Sequence, residues 1–101
     1  MAKHVIETVM FGVEEGVSRE DFVAAAAAMT PFLEAQPGFL RRRLSCTEDG
    51  TWIEHIEWED MSSAKRAASL IGKAPEAADF VKSIVGPSVK MMHSELEFSL
   101  K

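Results

Sequence analysis

The sequence predicts an α+β domain with element order β-α-β-β-α-β, a four-stranded antiparallel sheet carrying its helices on one face. Three observations point there. Four segments, within residues 4–13, 39–47, 50–60 and 88–100, are rich in β-branched, aromatic or alternating residues and read as strands. Two alanine-rich segments between them, one after Ser18 and one after Asp60, have helical spacing. A turn signal, Glu48-Asp49-Gly50, joins the middle two strands as a hairpin. Right-handed crossovers then favour the split βαβ arrangement.

The first strand places Val5, Glu7, Val9, Phe11 and Val13 on one face and His4, Ile6, Thr8 and Met10 on the other. Ser18 is positioned to cap the first helix, with Val17 and Phe22 at staple spacing. Phe22, Ala26, Met29 and Leu33 share a helix face, and Pro31 is expected to kink or divide the helix after Met29. Pro37-Gly38 ends it. The second strand sets Leu40, Arg42, Leu44 and Cys46 on one side. The third alternates Trp52, Glu54, Ile56 and Trp58 against Ile53, His55, Glu57 and Glu59. Asp60 caps the next helix, with Ala64, Ala67, Ala68 and Ile71 in register and Gly72 closing it. Pro75 opens a short helix with Phe80, Val81 and Ile84. The last strand is expected to run over 88–100, with Met92, Leu96, Phe98 and Leu100 on one side and Val89, Met91, His93, Glu95 and Glu97 on the other.

Helices cover only one face of such a sheet, yet several strands are apolar on both. Ile6 and Met10 oppose Val9 and Phe11, and Ile53 opposes Trp52 and Ile56. A bare face of that kind is an exposed apolar patch. The expectation is a two-fold homodimer packed sheet against sheet. The 101 residues fit a single domain spanning 1–101. A net charge of −5 argues against a nucleic-acid partner, whose phosphates require a basic surface. The one basic run, Arg41-Arg42-Arg43, reads as a strand with arginines on its exposed face. No apolar run has the length of a membrane helix, and Met1–Val9 lacks an export signal's apolar stretch. Cys46 is the single cysteine, which excludes an internal disulfide and suits a reducing compartment. A cytoplasmic protein is the expectation.

The element order, the "PFLEAQPGF" after an alanine-rich helix, the "WIEHIEWED" strand running into a second one and the "VKMMH" strand resemble the dimeric α+β barrel superfamily. Within it the chain is similar to the antibiotic biosynthesis monooxygenase group. The resemblance covers nearly the whole chain. It implies a ferredoxin-like fold paired sheet to sheet, and a monooxygenase-like activity on a small aromatic or quinone-type substrate. The superfamily's haem-degrading branch implies an Asn on the first strand and a Trp and a His in the second helical region. The first strand here has no Asn, and residues 61–85 hold neither Trp nor His, so haem degradation is disfavoured. The functional residues of the cofactor-free, quinone-forming members do not map onto this sequence one by one.

The chain lacks a dinucleotide fingerprint, a P-loop, a zinc-protease motif, paired cysteines and a nucleophile elbow. Redox chemistry would therefore draw either on the substrate's own electrons or on an unadvertised cofactor site, and no tightly held cofactor is expected. A deprotonated phenol or hydroquinone can pass an electron to oxygen. The protein then needs an apolar pocket, a base and groups that orient the ring. Glu7 and Glu54 are the candidate bases, since each interrupts an apolar face and burial raises a carboxylate's pKa. The alternative is that one or both pair with Arg42, which interrupts an apolar face too. Trp52 and Trp58 either stack on an aromatic ligand or fill the core. Met29, Phe32 and Phe39 are candidates to line a pocket between helix and sheet. His93 is a candidate general acid or donor to a ligand. A metal site from His55, His93, His4, Glu57 and Glu95 is conceivable, though its spacing matches no established ligand motif. Three readings stay open: a cofactor-independent monooxygenase-like enzyme, a non-catalytic module that binds a small apolar molecule, and a dimerisation scaffold.

Overall fold

The computed structural model describes residues 3–101. Strand β1 (Val5–Phe11) leads to helix α1 (Arg19–Ala28) and helix α2 (Thr30–Glu34). The hairpin of β2 (Phe39–Cys46) and β3 (Trp52–Trp58) follows, then α3 (Met61–Leu70), α4 (Ala78–Ser83) and β4 (Lys90–Glu95). Short 3-10 turns join α3 to α4 and precede β4. The strands order β2-β3-β1-β4, all antiparallel.

Local chemistry sets the boundaries. Ser18 caps α1 by accepting from the Asp21 N–H at 3.0 Å, and Asp60 caps α3 by accepting from the Ser63 N–H at 2.8 Å. Pro31 divides the first helical region at Met29, because it cannot supply an N–H to the preceding turn. Gly38 holds the turn into β2. Its φ of +85° favours glycine, and a Cβ there would sit 2.3 Å from the Ser63 hydroxyl oxygen. Its carbonyl accepts from the Glu59 N–H at 2.8 Å, which ties the start of β2 to the end of β3.

One face of the sheet packs on the helices. Val5, Val9 and Phe11 of β1, Trp52, Ile56 and Trp58 of β3, and Phe22, Ala26, Met29, Leu33, Ala64, Ala67 and Phe80 of the helices form the core. Phe11, Phe22, Phe80 and Trp52 meet edge-on or stacked, with centroids 4.8–6.1 Å apart. The opposite face carries Ile6, Thr8, Met10, Ile53, His55 and Met92 with no helix over it.

Two expectations need correction. Strict alternation places Leu40 beside Arg42, but a bulge between Phe39 and Arg41 inserts Leu40 as an extra residue. Leu40 is exposed, and Phe39 turns inward to meet Trp58 edge-on at 5.7 Å. The last strand ends at Glu95 and does not run to residue 100. It pairs only with β1, whose register starts at Val5 opposite Glu95. One further bond, Leu96 N–H to the His4 carbonyl at 2.8 Å, extends the ladder, and Phe98 and Leu100 beyond it are exposed.

Candidate functional site

The helix-facing side of the sheet carries two buried carboxylates. Glu7 sits in the middle of β1 and Glu54 in the middle of β3, 7% and 5% exposed. Antiparallel register sets their neighbours. One row across the sheet reads Arg42, Ile56, Glu7, His93, and the adjacent row reads Leu44, Glu54, Val9, Met91. Arg42 is therefore diagonal to Glu54 and separated from Glu7 by a whole strand.

Glu54 takes the arginine. The Arg42 Nε donates to Glu54 Oε2. The same guanidinium donates to the Ala26 carbonyl at 2.6 Å, rests near the Met29 sulfur at 3.4 Å and lies 5.1 Å from the centre of the Phe80 ring. Its donors are thus spent on the protein, and it joins β2, β3 and α1. Burial pushes Glu54 above the ordinary carboxylate range, while the Arg42 charge and hydrogen bond pull it back and the nearby Glu7 adds a smaller upward push.

Glu7 has no arginine. Trp58 Nε1 donates to Glu7 Oε1 at 3.2 Å, and His93 Nε2 lies 3.4 Å from the same oxygen. Burial raises Glu7 above the ordinary range; the His93 charge and the two neighbouring donors pull the other way. A carboxylate held high by burial but free of a fixed cation suits a base near neutral pH.

Both carboxylates line a cavity of about 170 Å³ between the sheet and the helices. Its walls are otherwise apolar: Phe32 and Leu33 of α2, Ala67 and Ala68 of α3, Phe80 and Val81 of α4, with Trp58 and Ile56 on the sheet side. Met91, Val89 and Val81, each partly exposed, stand where it opens beside β4. A broader groove of about 560 Å³ lies on the open face, among Arg41, Arg43, His55 and Glu57, away from the carboxylates.

Of the residues singled out from the sequence, Glu7, Glu54, Trp58 and Phe32 meet at this cavity. His93 stands behind Glu7, outside the cavity lining. Trp52 is buried edge-on against Phe22, Met29 is fully buried beside Arg42, and Phe39 packs on Trp58; none of the three reaches the cavity. Arg42 is held by Glu54. The wall residues Ile71, Val81, Ile84, Val89 and Met91 were not anticipated as site residues. Ile71, Val81, Ile84 and Val89 come from turns and a short helix, and Met91 from the start of β4. The metal cluster does not assemble: His93 and Glu95 face the helices, His55 faces away, and His4 bonds to Glu57 at 2.8 Å on the open face. Among the described residues no group of three or more metal-ligating side chains comes together.

No protein-family model matches the chain and no curated protein matches it significantly. Solved structures do. A variant of SnoaB, a cofactor-independent oxygenase from Streptomyces nogalater, superposes with a TM-score of 0.77 at 22% identity over 98% of each chain. A monooxygenase from the gene ActVA-Orf6 of Streptomyces coelicolor, in complex with nanaomycin D, gives 0.69 at 17% identity over 98% of this chain and 92% of its own. A dimeric ferredoxin-like protein of unknown function from Jannaschia sp. gives 0.66 at 14% identity over 92% and 99%. Identities this low speak to architecture: the chain has the ferredoxin-like α+β fold of the antibiotic biosynthesis monooxygenase-like structures.

Proposed function

We propose that the protein is a cofactor-independent monooxygenase-like enzyme acting on a small aromatic, quinone-forming substrate held between sheet and helices. One observation carries this reading: an apolar cavity whose ionisable wall groups, among the described residues, are two buried carboxylates, one of them without a fixed cation. An apolar ring fits such walls, and Glu7 is placed to take its hydroxyl proton. The phenolate passes one electron to dioxygen. Recombination of the resulting radicals forms the new C–O bond as a peroxide, which takes the proton back from Glu7 and loses water to leave the carbonyl. For an anthrone-like methylene, one dioxygen becomes one carbonyl oxygen and one water. Glu54, locked to Arg42, supplies shape and fixed polarity. The cavity is smaller than the roughly 300 Å³ at which drug-sized pockets begin, so a substrate of one or two rings fits as it stands, and a larger one must extend out past Met91.

The structural neighbours, among them a cofactor-independent oxygenase, a monooxygenase and a dimeric ferredoxin-like protein, support the same reading. A homodimer through the open sheet face would cover Ile6, Met10, Ile53 and Met92. The chain is a single domain in this reading, and the unpaired Cys46 suits a cytoplasmic setting. Among the described residues no helix is long and apolar enough to cross a membrane.

Oxygen uptake with a panel of hydroquinones and anthrone-like compounds tests the proposal. Uptake that the Glu7→Gln variant loses supports it. Tight binding without uptake moves the protein to the second reading, a module that sequesters a small apolar molecule, which the same apolar walls favour.

A further inference from the structure

The cavity between sheet and helices opens beside β4, an edge strand of the sheet. Phe32, Leu33, Trp58, Ala67 and Phe80 wall its inner part and are buried. Of its wall residues, Ala68, Val81, Val89 and Met91 are exposed, and they form the rim. A molecule too large for about 170 Å³ has this rim as its way out.

The rim residues differ in how far they can yield. Ala68 ends at its Cβ. Val81 and Val89 are β-branched and stiff at χ1, and the chain on either side of them is tied to the end of β1. The Glu14 N–H donates to the Ser83 carbonyl at 2.8 Å, where α4 ends. The Val85 N–H donates to the Gly12 carbonyl at 2.9 Å, and the Gly12 N–H donates to the Ser88 hydroxyl at 2.9 Å. Met91 is different. Its side chain is unbranched and adaptable, and the residue is 49% exposed. It alone on the rim has both the length to cover the opening and the freedom to turn away from it. Register gives its distance from the carboxylate. Met91 pairs with Val9, the pair next to Glu7 and His93 on the same face of the ladder. Directly opposed residues share a face, so Met91 stands diagonal to Glu7, and diagonal neighbours are about 7–8 Å apart. A ring system whose hydroxyl meets Glu7 comes up against Met91 as it extends toward the rim.

We propose that Met91 is the specificity-determining residue of this cavity: its side chain bars the rim to a third fused ring, and admitting such a ring requires it to swing out. This role rests on the cavity being a site for an aromatic ring. It concerns binding alone and needs no turnover.

The test binds two quinones to the full chain in a Trp52→Phe background, where Trp58 on the cavity wall is the only tryptophan. Hydroxynaphthoquinone supplies two fused rings and dihydroxyanthraquinone supplies three. Quenching of Trp58 fluorescence gives a Kd for each. With Met91→Ala the three-ring compound should bind more tightly, gaining about tenfold over the two-ring compound, the low end of what one methylene decides in an apolar pocket. Met91→Phe, bulkier and stiffer, should move the ratio the other way. A ratio unchanged in both variants, or moved the same way by both, overturns Met91 as the selector and leaves the aromatic site standing. Weaker three-ring binding in Met91→Ala overturns it too, because Met91 would then be a contact and not a barrier. Saturable quenching by neither quinone in any of the proteins overturns the aromatic site and the role of Met91 with it.

Discussion

Glu7 and Glu54 are the same side chain, buried to nearly the same depth on adjacent strands of one sheet face, and they are placed for different work. Glu54 is answered by a guanidinium that cannot deprotonate and that also bonds a helix carbonyl. Glu7 is answered by an indole N–H and an imidazole. The first pair is fixed in charge and joins elements together. The second can hold or release a proton. Depth of burial does not separate a structural carboxylate from a chemical one; the acidity of the partner does.

The largest expected effect breaks the comparison at Glu7. Glu7→Gln keeps the shape and the Trp58 contact but removes the proton acceptor. We expect kcat for hydroquinone oxidation to fall by about 10²–10⁴-fold, the usual contribution of a positioned base, with substrate binding retained. Trp58 lines the cavity, so quenching of its fluorescence by a bound quinone measures that binding without turnover.

The converse break is at Arg42. Arg42→Leu leaves Glu54 buried without its cation and the Ala26 carbonyl without that donor. Removing one partner of a buried pair costs about 3–5 kcal/mol, so denaturant unfolding should shift by that order. Replacing both members with apolar residues, Arg42→Met with Glu54→Leu, should recover most of the loss. A double variant as unstable as the single one would show that the Ala26 bond, and not the ion pair, is what Arg42 supplies.

Alternation along the strands was enough to put Glu7, Glu54 and Arg42 on one face, and it identified the Phe22, Ala26, Met29 and Leu33 stripe that the helices bury. It left open which carboxylate Arg42 meets. That depends on register, with Ile56 standing between Arg42 and Glu7. Register decides His93 as well: pairing it with Glu7 sends it toward the helices and away from His55. Leu40 was misplaced by a bulge, which shifts the phase of a strand without any marker residue at the site. The cavity wall beside β4 was hidden for another reason. Val81, Ile84 and Val89 belong to segments too short to repeat a period, while Ile71 continues the register of Ala64, Ala67 and Ala68, which marks a buried face and not a cavity wall.

Stability against pH sharpens the same contrast. Both buried glutamates sit above their ordinary value of 4.5, so the folded state holds their protons more tightly than the unfolded chain. The stability this supplies is fully present below pH 4.5 and is lost as pH rises through the raised folded values. Asp49 and Asp60 act in the other direction. Their hydrogen bonds to Thr47 and to Ser63 hold them below 3.8, and their contribution is lost as pH falls through those lowered values. Melting temperature should peak on the acid side of neutrality. Glu7→Gln should flatten the descent above pH 4.5, gaining roughly 4–8 °C for each kcal/mol of relieved burial. A melting profile identical to the wild type's would mean that Glu7 ionises in the folded protein as easily as in the unfolded chain.

The smallest expected effect compares the two tryptophans. Trp58→Phe removes the N–H that favours the charged form of Glu7. The net hydrogen bond is worth about 0.5–1.5 kcal/mol, so the loss of stability should be modest. The pKa of Glu7 should rise further, and the limb of the pH–rate profile that reports the base should move to higher pH. Trp52→Phe is the matched control, because Trp52 packs edge-on against Phe22 and bonds neither carboxylate. It should lower the melting temperature and leave the profile where it is. Equal displacement of the limb in both variants would trace it to looser packing around the sheet. Displacement in Trp58→Phe alone would trace it to one N–H aimed at one oxygen, the geometry that sets Glu7 apart from Glu54.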